Sequence, residues 1–453
     1  TRSIMSTATD SAQLWDLLQA ELADLRQIPT ATYRIQFNRT FTFNDAIKRL
    51  PYLKALGISH IYASPYFRAR PESMHGYDIV DHNALNPSIG DEAAYANFVQ
   101  ALHEHGLGQI LDTVPNHMGI GQGPNHYWAD VLENGPSSLY ATFFDIDWQP
   151  IKQEMANQVL LPILGAQYGQ VLETQELQLS FNGGAFYLNY WETQLPLAPR
   201  TYTPLLEHVL EQLQANNAPE ADQVLELQSI ITALNHLPPR TETDPALIAE
   251  RHREKEIIKR RLNTLAEEQP EVVAAIDQTL HMYNGVQGDP RSFDRLDELA
   301  RAQAYRLAYW RVAAEEINYR RFFDINDLAA IRMEQPAVFE ATHRLILRLL
   351  TEGSVNGLRI DHPDGLWDPA GYFRNLQRYY LLALGRQRFE GDDEAWEPIK
   401  AELSEQYEAA RQADPHSLAA RPLYVVAEKI LGHGEALPEA WTVDGTSGYE
   451  FLN

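Results

Sequence analysis

The 453-residue chain contains no cysteine, which excludes disulfides, thiolate nucleophiles and thiolate metal sites. That suits a reducing compartment, and a cytoplasmic location is expected. Positive charge is scarce as well, with 37 Lys and Arg against 62 Asp and Glu and a formal net charge of −25. Such a field repels phosphate backbones and anionic membranes and is indifferent to neutral ligands, so neither nucleic acid nor membrane is expected as a partner. No apolar run approaches the ~20 residues of a transmembrane helix. The start, Thr1-Arg2-Ser3-Ile4-Met5, has no apolar leader-like segment after it, and Met5 reads as the natural initiator. There is no Walker-type glycine-rich loop and no HExxH helix. His103-Glu104-His105 lacks the spacing that puts two imidazoles on one helix face and reads as a polar helix end. No dense run of oxygen ligands surrounds Asn116, so no metal and no cofactor are expected.

What is present is a folded composition, 44% hydrophobic and 10% aromatic, in a chain longer than one ordinary domain. Strand-like and helical periodicities alternate at first. Strands are predicted at 31–37, 59–67 and 109–114, with helices at 43–56 and 91–105, each helix followed by a glycine. The βαβαβ order implies a parallel sheet. From Asn116 to Gly357 the rhythm then breaks for about 240 residues, where one βα unit needs only about 30. The alternation resumes with a helix at 337–350 and strands at 357–362, 424–430 and 441–451. Divided by texture, residues 1–115 and 334–453 form one barrel domain. Residues 116–203 are an irregular or β insertion, and 204–333 a charged helical one. Trp128, Trp148 and Trp191 in the insertion read either as core packing or as sugar-stacking platforms.

Three runs carry the chemistry: Asp112-Thr-Val-Pro-Asn116-His117, Gly357-Leu-Arg359-Ile-Asp361-His362 and Tyr424-Val-Val-Ala-Glu428. Each is an apolar strand that delivers a carboxylate at or near its C-terminal end. In a parallel barrel that end is where loops converge on an active site. Two carboxylates brought there separately are the minimal kit for breaking a glycosidic bond with retention.

With His75-Gly76-Tyr77-Asp78 on the strand-two loop, these runs resemble the short motifs of the α-amylase clan of glycoside hydrolases and transglycosylases. Further segments narrow the resemblance: Tyr33-Arg34-Ile-Gln36-Phe37, Ser64-Pro65-Tyr66, Asn318 to Asn326, and Gly445-Thr446-Ser447-Gly448-Tyr449. They are similar to the maltooligosyltrehalose synthase family over nearly the whole chain after the first helix. The resemblance implies a (β/α)8 TIM-type barrel with strands one to six in this chain. It also implies rearrangement of the reducing-end α-1,4 bond of a maltooligosaccharide to an α,α-1,1 bond.

Carried over residue by residue, the resemblance makes Asp361 the nucleophile and Glu428 the general acid/base. Arg359, on the same strand face as Asp361, would favour its ionised form. The apolar run before Glu428 would raise that carboxyl toward neutrality, and the two carboxyl groups are expected about 5–5.5 Å apart. Tyr77 would stack on the sugar and His117 would hydrogen-bond it, while Asp112 would brace Arg359. His75, Asp78 and Asn116 would order loops or bind sugar, and His362 would line the pocket. Two other readings stand beside this one. The first is an amylase-type hydrolase of α-1,4-glucans or of maltooligosyltrehalose, and the second a non-catalytic glucan-binding protein. The clan's third carboxylate follows strand seven, and the strand count here reaches six at Phe451-Leu452-Asn453. The remaining C-terminal part of the same enzyme is therefore expected as a partner.

Overall fold

The computed structural model describes residues 8–448 apart from Gln122, Pro124, Asn217 and Pro219. Met5, Tyr449 and the far end of the strand expected at 441–451 lie outside the described residues. The chain divides into two compact units, Thr1–Gly119 with Ile331–Asn453, and Ile120–Ala330.

The first unit is built on a six-stranded sheet of β1 (Thr32–Ile35), β2 (His60–Ala63), β3 (Gly108–Thr113), β4 (Gly357–Ile360), β5 (Tyr424–Ala427) and β6 (Gly445–Thr446). They lie side by side in sequence order, and every pairing is parallel. This is the curled parallel sheet of a TIM-type barrel, as the alternation predicts. The strands are short, so β2 covers only part of 59–67; Phe67–Ala69 instead pairs antiparallel with Ile79–Leu85.

The helices follow local signals. Glu92–Glu104 is capped by Asp91, whose side chain accepts from Ala94 N–H, and it is stopped by Gly106 at φ 59°. A left-handed position of that kind is one glycine occupies without steric cost. Glu104 and His105 are its last residue and cap, and His105 bonds back to the Ala101 carbonyl. The helix expected at 43–56 is two short ones, Phe43–Ile47 and Leu50–Ala55. Pro51 explains the break: it has no N–H to give to the preceding turn, and it sits in the first turn of the second helix, where that N–H is not needed. Phe43 nevertheless reaches the core and stacks on Phe98 with ring centroids 5.5 Å apart, beside Phe37 and Tyr66. All four rings are fully buried, each contributing on the order of 1.5–3 kcal/mol by removal from water.

The second unit is the long insertion, and its two textures are interleaved. Val159–Leu164, from the aromatic-rich stretch, pairs in parallel with Tyr305–Tyr309 from the end of the charged stretch. A three-stranded antiparallel sheet, Leu177–Asn182, Ala185–Tyr190 and Thr193–Pro196, meets the helix Pro245–Glu268 so closely that a Cβ on Gly184 would overlap the Lys259 carbonyl. Within this unit Lys255 and Lys259 pair with the buried Glu133. Asn318, one of the residues that carried the resemblance, is structural. Its side chain accepts from Leu160 N–H at 2.9 Å and donates to the Asp147 and Gln158 carbonyls at 2.9 and 2.8 Å. Trp128 is core packing, buried against Phe144 and Tyr319. Trp148 is half-buried, and Trp191 stands exposed at a hairpin tip.

Candidate active site

Strand register brings the carboxylates together. Arg359 lies opposite Asp112, and Ile360 opposite both Thr113 and Ala427. The ladder then runs one residue past the strand ends: Asp361 N–H donates to Thr113 C=O and Glu428 N–H to Ile360 C=O, both at 2.8 Å. Asp361 and Glu428 are thereby fixed side by side at the C-terminal edge of the sheet, the functional end of a parallel barrel.

Arg359 is the hub. One terminal nitrogen donates to Asp112 Oδ1 and to Asp361 Oδ1 at 2.8 Å each, the other meets Glu428 Oε1 at 3.0 Å, and Nε reaches Ser447 Oγ at 3.2 Å. The planar fork of the guanidinium, with donors spread over three nitrogens, holds these three carboxylates in a fixed geometry that the single nitrogen of an ammonium does not reproduce. Asp112 is completely buried and accepts four hydrogen bonds: the one from Arg359, and others from Arg34 at 2.8 Å, Tyr77 Oη at 2.6 Å and Tyr62 Oη at 3.1 Å. Asp112 thus holds one terminal nitrogen of Arg359.

The Asp361–Glu428 pair, both of whose carboxyl groups contact one guanidinium, departs from expectation in its shifts, which are reversed. Asp361 is pushed up to about 7, first by burial and then by Asp112 and Glu428, against the pull of Arg359. Burial also works to raise Glu428, but Arg359, the His362 N–H and Asp361 outweigh it and leave its carboxyl below its ordinary value. The apolar run Val425–Ala427 does not dominate, since Glu428 projects beyond it and is half exposed. Two neighbouring carboxylates cannot easily both ionise, and the upward shift falls on Asp361, the more buried of the two.

This has a consequence for stability. A carboxyl raised in the native state contributes stability that is full below its unfolded pKa, near 4, and is lost as pH rises through about 7. Asp361→Asn removes that liability. The variant is expected to match the wild type near pH 4 and to exceed it by on the order of a few kcal/mol at pH 8, measured as unfolding midpoints across that range. A difference independent of pH would show that Asp361 is not held protonated.

His362, directly after Asp361, has φ 46° and ψ 49°, a left-handed conformation uncommon for a residue with a Cβ. It aims the His362 N–H at Glu428 Oε2, 2.8 Å away. Gly365 leaves the room for this: a Cβ there would lie 2.3 Å from His362 Cδ2 and 2.7 Å from Asn116 Oδ1. Gly365→Ala is therefore expected to lower turnover about tenfold or more by displacing His362, as small misplacements at a catalytic site do. Its unfolding midpoint should stay close to wild type. Loss of activity only in proportion to unfolding would contradict this.

Asn116 and His117 are buried, and Asn116 Nδ2 lies 3.3 Å from His117 Nδ1. Burial, followed by His362, lowers His117 to about 3, so its imidazole is neutral and suited to hydrogen bonding. Tyr77 points its hydroxyl into the Asp112–Arg34 network. His75 and Asp78 stand apart from the Arg359 hub. Asp78 accepts from Ser73 and lies 3.8 Å from Arg70 and 3.9 Å from the exposed His75, and the His75 ring accepts from Tyr77 N–H. Both order the loop that carries Tyr77. Sequence reasoning missed Arg34, Tyr62 and Ser447 as members of the site. Their signal is a polar residue in the middle or just past the end of an otherwise apolar barrel strand.

Comparison with known proteins agrees with this architecture. Residues 39–197 match the family model described as "Alpha amylase, catalytic domain". "Putative maltooligosyl trehalose synthase" of Mycobacterium tuberculosis is 30% identical over 93% of this chain, which spans 37% of that protein's length. The solved structure of maltooligosyltrehalose synthase from Arthrobacter ramosus is 29% identical with a TM-score of 0.58, over 94% of this chain and 38% of the other. A cyclomaltodextrinase of Geobacillus thermopakistaniensis is 41% identical over 24% of this chain. The chain thus spans under two-fifths of the first two relatives. Among the described residues no helix is long and apolar enough to cross a membrane. The chain thus carries a match to the α-amylase catalytic domain on a parallel, barrel-type sheet, and along nearly its whole length it is similar to the maltooligosyl trehalose synthases.

Proposed function

We propose that the intact protein rearranges the reducing-end α-1,4 bond of maltooligosaccharides into an α,α-1,1 bond by double displacement. The observation that carries this is the convergence of Asp361 and Glu428 on one guanidinium at the C-terminal edge of the sheet. In the first step an Asp361 oxygen attacks the anomeric carbon. The glycosidic C–O bond breaks, and the leaving 4-oxygen takes a proton from Glu428. In the second, the detached glucose presents its anomeric hydroxyl. That oxygen attacks the glycosyl ester, its proton passes to Glu428, and Asp361 is released. Two inversions give net retention.

The resting proton favours Asp361, whereas the first step needs it on Glu428. Both carboxyls contact the same guanidinium, so one short transfer between them supplies the reactive form. Arg359 supports it by holding charge opposite the ionised Asp361, and neutral His117 and Tyr77 serve the sugar. The remainder of the same enzyme is the partner this reading assigns, with a maltooligosaccharide as substrate and no cofactor.

Product analysis from maltopentaose tests the proposal. Rearrangement yields a non-reducing pentasaccharide and conserves mass. Glucose and shorter maltooligosaccharides as the sole products would replace it with an amylase-type hydrolase, in which water takes the place of the sugar hydroxyl.

A further inference from the structure

Asp112 lies between two guanidinium groups. Arg359 holds Oδ1, and Arg34 holds Oδ2 from the first strand of the sheet. Arg34 also donates from its other terminal nitrogen to Tyr77 Oη at 2.9 Å, and its guanidinium carbon lies 4.3 Å from the centroid of the Tyr62 ring. Tyr62 is its neighbour in register on β2, and both phenols donate in turn to Asp112 Oδ2. Arg34 is thus fixed by a carboxylate, a hydroxyl and a ring face, with a third of its side chain exposed.

From this geometry we infer that Arg34 is a positioning residue, which balances Asp112 so that Arg359 can serve the Asp361–Glu428 pair and which aims the Tyr77 ring. The inference rests on the roles proposed above for Asp361 and Glu428. The charge count makes the need plain. Asp112, Asp361 and Glu428 all contact Arg359, and a single cation cannot offset three carboxylates. The groups facing Asp361 are Asp112 from β3, Arg359 and His362 from β4 and its loop, and Glu428 from β5. Behind Asp112 stand Arg34, Tyr62 and Tyr77, and His117 lies beside His362. None of these except Arg34 and Arg359 brings a fixed positive charge. Remove Arg34, and the field of Asp112 falls more fully on Asp361 while the shared Arg359 nitrogen is drawn toward Asp112. Both effects make Asp361 harder to ionise.

Arg34→Gln in the intact protein should therefore move the acid limb of kcat/KM upward by about one pH unit. Arg34→Lys keeps the charge but not the fork that serves Asp112 and Tyr77 together. It should leave the limb where it is and lose about tenfold in kcat/KM, mostly through KM. Tyr77→Phe, which removes only the hydroxyl, should likewise leave the limb unmoved. A residue that merely stabilised the fold would lower activity in both Arg34 variants without moving the limb. That outcome overturns the inference, as would an equal shift in Arg34→Lys. The identity of the wild-type product tests the reaction itself, while the shift between wild type and variants tests Arg34 whichever product forms. Should no glucan be converted, infrared titration of the protonated-carboxyl band that disappears in Asp361→Asn reads the same shift directly. An unchanged midpoint in Arg34→Gln would then refute the role.

Discussion

Asp361→Asn should lower the conversion of maltooligosaccharides by about four orders of magnitude or more, with glucan binding nearly intact. The amide matches the carboxylate in size, so the Arg359 fork and the Thr113–Asp361 backbone bond still place the residue correctly. What is lost is the nucleophile that the proposed function assigns: a neutral amide oxygen cannot form the glycosyl ester that divides that reaction into two accessible steps. Glu428→Gln should fail differently. It removes the proton donor, so natural substrates with poor leaving groups are affected most, whereas a glycosyl fluoride needs no protonation and should still glycosylate Asp361. Turnover rates with both substrate types, and binding measured by calorimetry, check the contrast. Equal losses of the two variants on both substrates would argue against separate roles.

Arg359→Met should produce the largest loss of stability in the first unit. The guanidinium is buried and contacts three carboxylates, and removing one partner of a buried ion pair typically costs about 3–5 kcal/mol. The loss should depend on pH in a defined direction. Without Arg359 the carboxyls of Asp361 and Glu428 rise in the native state, and stability held by a raised carboxyl disappears as pH increases. The deficit is therefore largest near pH 8 and shrinks toward pH 4, where the carboxyls accept protons. Arg359→Lys should recover only part of it, since a shorter side chain with one nitrogen cannot reproduce the spread of the guanidinium's donors. Unfolding midpoints of both variants across that range check this. A deficit that does not change with pH would mean that Arg359 stabilises by packing.

Much of this was legible in the sequence. Apolar runs ending in Asp361 and Glu428 place carboxylates at strand ends, and the parallel register then brings them together with no further signal. Asp91 and Gly106 mark the ends of a helix because capping chemistry is local. Less was legible where several strands act at once. Arg34 and Tyr62 sit mid-strand, and their convergence on Asp112 depends on the curl of the sheet, which no single strand reports. The proton balance was misjudged for the same reason. The apolar run before Glu428 was visible, but the guanidinium and the His362 N–H that outweigh it arrive from β4. The insertion's two textures suggested separate pieces, whereas the pairing of Val159–Leu164 with Tyr305–Tyr309, some 140 residues apart, and the ion pairs of Glu133 with Lys255 and Lys259 join them. Such long-range closure leaves no local trace.

The most direct test of the account is to locate the covalent intermediate. Glu428→Gln in the intact protein, reacted with a fluorinated glucosyl fluoride that glycosylates quickly and deglycosylates slowly, should gain the mass of one glycosyl group. Peptide mapping should then place that group on the fragment containing Asp361. An adduct on Asp112 or on another carboxylate, or none from a donor that the protein demonstrably binds, would contradict the assignment of Asp361 as the nucleophile.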